Sequence, residues 1–461
     1  MVSMGFVYFC SVIKNNYELQ NDGTMKNILS KRTFIVLPLF LFSLHPLWGQ
    51  KSNFKNDICI PGKLYMLSDI RNDVFVEALI KRWRPYNDFV RFSGDCVYSR
   101  KLNRVASVDT PVDGSNMKIE LVNSDEFETI KEKAISICVG KKGIGTQEVT
   151  VQILGDSFVN GAFFRDALLS KNYIPGIKLV GLRNIKNEEG QYDEGRGGWT
   201  VKKYFEIPKG EMTSYHGYMQ PVGEYRYWGS CEFWKNCYKV INGELTDTEI
   251  VYNCGRYDQC ITKFDKETGY LAAPKKNDLM YDNARGSYMV YTGKKWKNVE
   301  VDERKWAFNY RKYLDMWNLD APKFFAQMLG LNDYRDSLTA DYREWNKKIA
   351  EMKESYYKAV PDGKFIILIP CTTCGSLNNI RGDFTLRQNA SMWQLRKNII
   401  DTFDGRESEG YYVVDIGITI DNEKGYNRNR DGIQTGNPHP YPNYPTMGIP
   451  LAAFIQYYRE L

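Results

Sequence analysis

A serine stands where an apolar run gives way to a helical pattern. Residues 151–166 read VQILGDSFVNGAFFRD, and Ser157 follows the apolar run with Gly155 and Asp156 before it. Such a serine is either a helix cap or a nucleophile, since both roles place a hydroxyl at a strand-to-helix turn. As a nucleophile it needs a base that accepts its proton near neutral pH, and histidine is the usual side chain for that task.

Histidine is scarce in this chain, which narrows the choice of base. His45 lies in an apolar amino-terminal segment, His216 lies in an aromatic-rich segment, and His439 lies between two prolines shortly before the last predicted helix. The prolines restrict the loop that presents His439. We therefore predict that His439 is the base and that His216 is a surface or packing residue.

A neutral amide follows another predicted strand. Asn332 stands in the sequence GLND at 330–333, directly after the apolar run at 324–329. Sites in open parallel sheets form at the carboxyl ends of the strands, so Ser157, Asn332 and His439 are expected at one rim. A hydroxyl, an imidazole and a neutral hydrogen-bond donor together suit acyl transfer. Taken singly, Ser157 also fits a helix cap and Asn332 an Asx-turn.

The elements that would position these groups alternate between strands and helices. Four apolar runs predict buried strands of a parallel sheet, at 149–154, 324–329, 364–369 and 411–418. Apolar residues at helical spacing predict the helices between and after them, carrying Trp345, Ile349, Met352 and Tyr356, then Met392, Leu395 and Ile399, and finally residues 448–461. The pattern predicts an α/β layered domain.

The alternation covers only part of the chain. Residues 51–148 show short apolar runs between turn residues, which predicts a small β-rich, sandwich-like accessory domain. The α/β domain is expected over 149–461, interrupted at about 203–318 by a cysteine- and aromatic-rich insertion packed over one end of the sheet.

Four short motifs in order resemble the conserved blocks of the SGNH/GDSL hydrolase superfamily: GDS at 155–157, GRGGWT at 195–200, GLND at 330–333 and HP at 439–440. The resemblance implies a flavodoxin-like three-layer αβα domain with a parallel sheet, and serine ester hydrolysis. It implies Ser157 as the nucleophile and His439 as the base. The oxyanion donors would be the Ser157 N–H, the N–H of Gly198, which is otherwise a turn glycine, and the Asn332 side chain.

One position departs from the family pattern. The family usually places an aspartate three residues before the histidine, and here that position is Gly436. Asp431, Asn437 or a backbone carbonyl is expected to orient His439 in its place. The alternatives are a Ser–His dyad with reduced activity, or a domain that only binds. Asp156 is a poor substitute, because adjacent residues on a tight turn normally point apart.

The amino terminus predicts export. From Met25 a basic head with Lys26, Lys31 and Arg32 precedes the apolar run at 34–44, which is the layout of a signal peptide. Met25 is therefore a candidate true start, and residues 1–50 are interpreted as an extension and signal peptide of a periplasmic or secreted protein. The apolar run is too short for stable membrane insertion. The net charge of +6 is small and dispersed, so no nucleic-acid partner is expected.

Ten cysteines suit an oxidising compartment. Cys231/Cys237 and Cys254/Cys260 are predicted to staple the insertion, with at least one thiol left free. Their spacing matches no zinc signature, so neither a metal nor another cofactor is expected.

The substrate is expected to be an acylated polysaccharide, most often acetylated, or a smaller acyl ester. The resemblance to exported esterases and the aromatic rings of the insertion, which would stack on sugars, favour this interpretation. Tyr227, Trp228 and Trp199 are the named candidates, within a cluster that also holds Tyr215, Tyr218, Tyr225, Phe233 and Trp234. The alternatives are a lipase or acylhydrolase on lipid esters and a catalytically weak glycan-binding protein.

Overall fold

The computed structural model describes residues 56–81, 88–95, 97–100, 104–123, 127–161, 163–169, 172–184, 191–210, 212–335, 337–371, 387–421, 425–426, 439–440 and 445–459. From Asn56 onward the chain forms one compact unit. The proposed extension and signal peptide at 1–50 lie outside the described residues, as do Cys10, Cys96 and Cys374. The domain boundaries stay predictions.

The strands confirm the apolar runs at 149–154, 324–329 and 364–369, while the run at 411–418 gives a shorter strand that ends at Asp415. In chain order they are β1 Lys63–Leu67, β2 Asn72–Phe75, β3 Asp88–Gly94, β4 Val97–Arg100, β5 Val105–Val108, β6 Asn116–Asn123, β7 Thr129–Gly140, β8 Val149–Gly155, β9 Ile177–Leu179, β10 Glu194–Gly195, β11 Met219–Pro221, β12 Arg226–Ser230, β13 Asp278–Asp282, β14 Ser287–Tyr291, β15 Trp296–Val299, β16 Trp306–Phe308, β17 Phe324–Met328, β18 Lys364–Ile369 and β19 Tyr411–Asp415.

The helices include the three that apolar spacing predicts, at Arg343–Ala359, Arg387–Phe403 and Ile449–Arg459. In chain order they are α1 Ser157–Asn160, α2 Phe163–Leu169, α3 Cys231–Ile241, α4 Thr248–Cys254, α5 Asp258–Ile261, α6 Tyr310–Trp317, α7 Leu331–Tyr334, α8 Arg343–Ala359, α9 Arg387–Phe403 and α10 Ile449–Arg459. In the part of the chain that is described, no helix has both the length and the apolar character needed to cross a membrane.

A parallel sheet carries the strand ends from which the candidate site is built. Its strands lie in the order β10-β8-β17-β18-β19, β9 also pairs with β8, and each pairing is parallel. Adjacent residues of a strand point to opposite faces. Phe324 contacts Phe454 of α10, and Phe325 contacts Tyr356 of α8. Helices therefore cover both faces, and the prediction of an α/β fold with a parallel sheet is confirmed.

Residues 63–140 form two further sheets, with strand orders β1-β7-β6-β3 and β2-β5-β4. Side chains of both sheets share one buried cluster, including Met66, Val74, Ala106 and Ile119. On its other face β1 packs on the last helix, where the Tyr65 and Phe454 rings lie 4.8 Å apart. The last helix therefore lies between β1 and the parallel sheet.

Residues 203–318 do not continue the βα alternation. They form a sheet of order β12-β13-β14-β15, the pair β11-β16 and helices α3 to α6. Aromatic rings fill the interior: Trp234 stacks on Phe264 with centroids 4.0 Å apart, and Tyr218 stacks on Tyr313 at 4.3 Å. The insertion thus has an aromatic core of its own.

The disulfide prediction is wrong for the described cysteines, which are all buried free thiols: Cys59, Cys138, Cys231, Cys237, Cys254, Cys260 and Cys371. Cys231 and Cys237 are six residues apart on α3, and at 3.6 residues per turn they point in different directions. Cys237 instead lies close to Cys254 on α4, and burial together with this neighbour raises the pKa of the Cys237 thiol well above its ordinary value. Burial raises the pKa of Cys231 to about 12, so this thiol serves as a small apolar side chain. Among the described residues no cluster of metal-ligating side chains is present.

Candidate active site

Ser157 is the first residue of α1, directly after β8. Asp156 caps this helix, because its side chain accepts the Phe158 N–H at 3.1 Å. The alternative role of Ser157 as the cap is therefore wrong. Gly195 on β10 lets α1 pack closely, since a Cβ at this position would lie 2.1 Å from the Asn160 nitrogen. Ser157 itself is half-buried at the carboxyl end of β8.

The structure brings His439 to Ser157 across 282 residues of sequence, with Nε2 2.7 Å from the serine Oγ. This distance suits a general base, which works at about 2.6–3.2 Å from the proton donor. The next residue, Pro440, forms an antiparallel bridge with Tyr426. The His439 ring also lies 5.0 Å from the ring of Phe158. His439 is therefore held against the first turn of α1.

The two described histidines differ in whether they can take a proton. Burial and the charge of Arg335 lower the pKa of His439 below its ordinary 6.5, so its imidazole is neutral at pH 7. Burial lowers the pKa of His216 to about 3. The Nδ1 atom of His216 accepts the Tyr218 N–H at 3.2 Å, and Nε2 lies 3.0 Å from the Glu206 carbonyl oxygen. Both ring nitrogens of His216 are thus engaged, as expected of a packing residue.

Asn332 lies on α7 and links two of the sequence motifs. Its Nδ2 lies 3.3 Å from Asp156 Oδ2 and donates to the Trp199 carbonyl oxygen at 3.1 Å. The neighbouring Asp333 accepts the Val201 N–H at 3.1 Å. The segments before Ser157 and after Gly198 are therefore both tied to α7.

Gly198 directly precedes Trp199, whose carbonyl oxygen accepts the hydrogen bond from Asn332. It is exposed, with φ of +72°, a backbone conformation that favours glycine. A Cβ at this position would meet no atom within 4 Å. The backbone of Gly198 therefore borders open space next to Trp199, the residue that Asn332 contacts.

The two carboxyl groups near Asn332 are electrostatically unusual. Burial raises the pKa of Asp156 to about 7, against the opposing Phe158 N–H bond, and the charge of Asp333 adds to the increase. Burial raises the pKa of Asp333 to about 6. Both oxygens of Asp156 are engaged, by Phe158 and Asn332. Asp156 thus supports α1 and Asn332 instead of orienting His439.

The expected orienting groups cannot be compared with this geometry. Asp431, Gly436 and Asn437 lie outside the described residues.

The prediction that Tyr227 stacks on substrate is wrong, whereas that for Trp228 stays a prediction, because Trp228 lines a second cleft of about 340 Å³. Tyr227 has no exposed surface and donates its hydroxyl to the Pro208 carbonyl at 2.7 Å. Trp228 is 8% exposed and donates Nε1–H to Asp278. Burying aromatic surface stabilises the fold, so rings such as that of Tyr227 pack into the core of the insertion instead of facing solvent. The same burial holds for Tyr215, Tyr218, Phe233 and Trp234.

A cleft of about 390 Å³ is lined by Gly197 and Trp199, the two neighbours of Gly198 in the chain, and not by Ser157 or His439. These two residues form one side, so Trp199, although mostly buried, still borders the cleft. Tyr252 and Asn253 of α4 line another side. Sequence reasoning missed Tyr252, because no motif surrounds it and its contact arises only when the insertion folds back.

Comparisons with known proteins leave the family open. No family model matches the chain, and no curated protein matches its sequence significantly. Among solved structures, similarity is found to a family 3 carbohydrate esterase from Talaromyces cellulolyticus (12% identity, TM-score 0.29, 68% of this chain and 99% of that one). A family two carbohydrate esterase from Cellvibrio japonicus is 10% identical with a TM-score of 0.24, and the match covers 87% of this chain and 90% of that one. The protein YXIM from Bacillus subtilis is 11% identical with a TM-score of 0.27, and the match covers 88% of this chain and 80% of that one. TM-scores below 0.5 do not decide the activity of this chain.

Proposed function

We propose that the chain is a serine ester hydrolase with Ser157 as nucleophile and His439 as base. The observation that supports this most is the 2.7 Å approach of His439 Nε2 to Ser157 Oγ. The two residues meet at the carboxyl end of a strand in a parallel sheet, where such folds bind their ligands. The neutral state of His439 suits the same role.

In the first half-reaction Ser157 Oγ attacks the ester carbonyl carbon while its proton passes to His439 Nε2. The resulting imidazolium then protonates the leaving alcohol oxygen as the carbon–oxygen bond breaks. Water repeats the sequence on the acyl-serine, with His439 accepting its proton, and releases the carboxylic acid. Protons balance, because each one that His439 accepts is returned.

The developing oxyanion would accept hydrogen bonds from the N–H groups of Ser157 and Gly198 and from the Asn332 amide. The contacts of Asn332 with Asp156 and Trp199 place its amide beside the two backbone donors. Because these contacts use both Nδ2 hydrogens, the amide would exchange one of them for the oxyanion when the substrate binds. The two backbone N–H donors, fixed by the fold, would need little reorganisation during the reaction.

We also assign the domain to the SGNH/GDSL type. Leaving out the two-residue strand β10, which also pairs with β8, the strands β9-β8-β17-β18-β19 follow the order 2-1-3-4-5 when numbered along the chain, which is the flavodoxin-like order. Asp431, Asn437 and a backbone carbonyl remain the candidates that would orient His439. Export to the periplasm or the medium likewise stays a proposal, supported by the basic head and apolar run at 26–44.

The substrates we propose are acyl esters, acetyl foremost, on polysaccharides. Polar side chains dominate the lining of the cleft that Gly197 and Trp199 border, among them the exposed Lys203, Glu206 and Thr213. Such a lining suits the hydroxyl groups of a sugar better than a lipid chain.

The test is acetate release from acetylated xylan and nitrophenolate release from 4-nitrophenyl acetate. We expect Ser157→Ala to lower both rates about 10⁴-fold or more, with an unchanged circular dichroism spectrum. Ser93→Ala, at an exposed position on β3, serves as the matched control and should keep full activity.

Three other results would overturn parts of the proposal. Equal rates in a folded Ser157→Ala variant would remove Ser157 as the nucleophile. Activity that rises with acyl chain length would identify a lipid acylhydrolase. Glycan affinity without turnover would identify a binding protein.

A further inference from the structure

Tyr252 presents an aromatic ring to the cleft beside the candidate oxyanion site. Its side chain is 39% exposed, whereas Tyr227 and Trp228 on the same insertion are buried. It lies on α4 and lines the cleft together with Gly197 and Trp199. The insertion thus contributes one accessible ring to this cleft.

Two contacts fix the position of Tyr252 relative to the nucleophile. A Cβ on Gly197 would lie 1.4 Å from Tyr252 Oη, so the tyrosine hydroxyl occupies the space that any side chain at 197 would need. Asn160 Nδ2 donates to the same hydroxyl at 3.4 Å. Asn160 is the last residue of α1, which begins at Ser157. Tyr252 therefore touches both the helix that carries the nucleophile and the segment that carries Gly198.

The dimensions of the cleft indicate which part of an ester it would hold. A volume of about 390 Å³ falls in the range of small-molecule pockets, roughly 300–1,000 Å³. An acetyl group has only two carbon atoms, so the cleft is far larger than the acyl part requires. The exposed side chains of Lys203, Glu206 and Thr213 place polar groups along its wall. A polar wall facing an aromatic ring matches a sugar, which has hydroxyls at its edge and apolar C–H faces.

We propose that this cleft binds the sugar on the alcohol side of the ester, and that the ring of Tyr252 stacks on it. Tyr252 is then a specificity-determining residue that separates sugar esters from esters of small alcohols. This inference rests on the proposed esterase activity of Ser157.

The experiment compares kcat/KM for acetylated xylo-oligosaccharides with kcat/KM for ethyl acetate, whose alcohol is too small to fill the cleft. Tyr252→Ala should lower the sugar-ester value about five- to tenfold, the range expected of one aromatic contact, mainly through KM. The ethyl acetate value should change less than twofold. Tyr252→Phe, which keeps the ring, should restore most of the loss. The control is Val251→Ala, the exposed neighbour on α4, which does not line the cleft.

A second variant tests the geometry by another route. Gly197→Ala would push the Tyr252 ring away, since the new Cβ and the hydroxyl cannot coexist at 1.4 Å. In an otherwise wild-type protein, Gly197→Ala should lower kcat/KM on the sugar ester about as much as Tyr252→Ala does. In the Tyr252→Ala background it should add less than twofold, because the obstructed group is gone.

The outcomes separate the two proposals. Equal losses on both substrates in Tyr252→Ala would show a structural role through Asn160 and overturn this inference while leaving the esterase intact. Activity that survives Ser157→Ala would instead overturn the proposed function. Calorimetric titration of acetylated xylo-oligosaccharides into Ser157→Ala, with and without Tyr252→Ala, measures sugar binding independently of turnover. Equal affinities in that titration would also overturn the inference.

Discussion

The rim of the parallel sheet and the aromatic insertion use side chains in opposite ways. At the rim, half-buried polar groups from distant parts of the sequence meet through single contacts, such as Ser157 with His439 and Asn332 with Trp199. In the insertion, rings pack against rings, as Trp234 does with Phe264. The rim therefore contributes little buried apolar area, while the insertion contributes a great deal. A rim substitution should cost activity, and an insertion substitution should cost stability.

Trp234→Ala should give the largest loss of stability. The ring of Trp234 has no exposed surface, and its Nε1–H donates to the Trp228 carbonyl oxygen at 2.6 Å. Truncation leaves a cavity and an unpaired carbonyl, so we expect the free energy of unfolding to fall by about 3–5 kcal/mol. Urea unfolding measures this, with Phe127→Ala as control because Phe127 is 75% exposed. The kcat of the folded variant should stay within twofold. A large loss of kcat at unchanged stability would erase the contrast between the two regions.

Asn332→Ala should mainly lower kcat, with a smaller change in the free energy of unfolding, the reverse of Trp234→Ala. Loss of one oxyanion donor costs about 10²–10³ in kcat, or roughly 2.7–4 kcal/mol of transition-state stabilisation. Stability should fall by only about 2 kcal/mol, because two hydrogen bonds of about 1 kcal/mol each are lost. Steady-state kinetics on 4-nitrophenyl acetate and urea unfolding measure both. Asn298→Ala, at an exposed position on β15, is the matched control. An unchanged kcat would remove Asn332 from the site.

Local pattern was enough to predict the elements of the rim. The apolar run that forms β8 and the glycine and aspartate before Ser157 mark a strand-to-helix turn within a few residues. Few histidines were available, so His439 could be paired with Ser157 without any knowledge of the fold. These signals are local in sequence or depend on rarity, and neither requires the course of the insertion to be known.

The insertion could not be predicted in the same way. Aromatic side chains serve a core and a sugar site equally well, so the composition that suggested Tyr227 and Trp228 did not tell which rings would be buried. Tyr252 reaches Gly197 only through the path of the chain over more than fifty residues. The disulfide prediction was wrong for a related reason. Short spacing suggested that Cys231 pairs with Cys237, whereas the packing of α3 on α4 places Cys237 next to Cys254.

The smallest expected effect concerns Arg335, whose charge acts on two of the titrating groups of the rim, His439 and Asp156. Its positive charge lowers the pKa of His439 and of Asp156, so Arg335→Gln should raise both. The base has to be neutral, and activity is therefore lost as pH falls through the pKa of His439. A higher pKa moves the acid limb of kcat/KM to higher pH, by about half a unit for a charge near the surface. Arg343→Gln is the control, because that side chain is 91% exposed and paired with Asp341.

An acid limb that stays in place, or moves to lower pH, would contradict the electrostatic role of Arg335. Repeating the pH profile in Asp156→Asn separates the two titrating groups, since only His439 then remains to respond. A shift that persists in this background belongs to His439 and supports its role as the base. A shift that disappears belongs to Asp156, and the acid limb would then report the contact between Asp156 and Asn332, which holds the amide donor, instead of the protonation of the base.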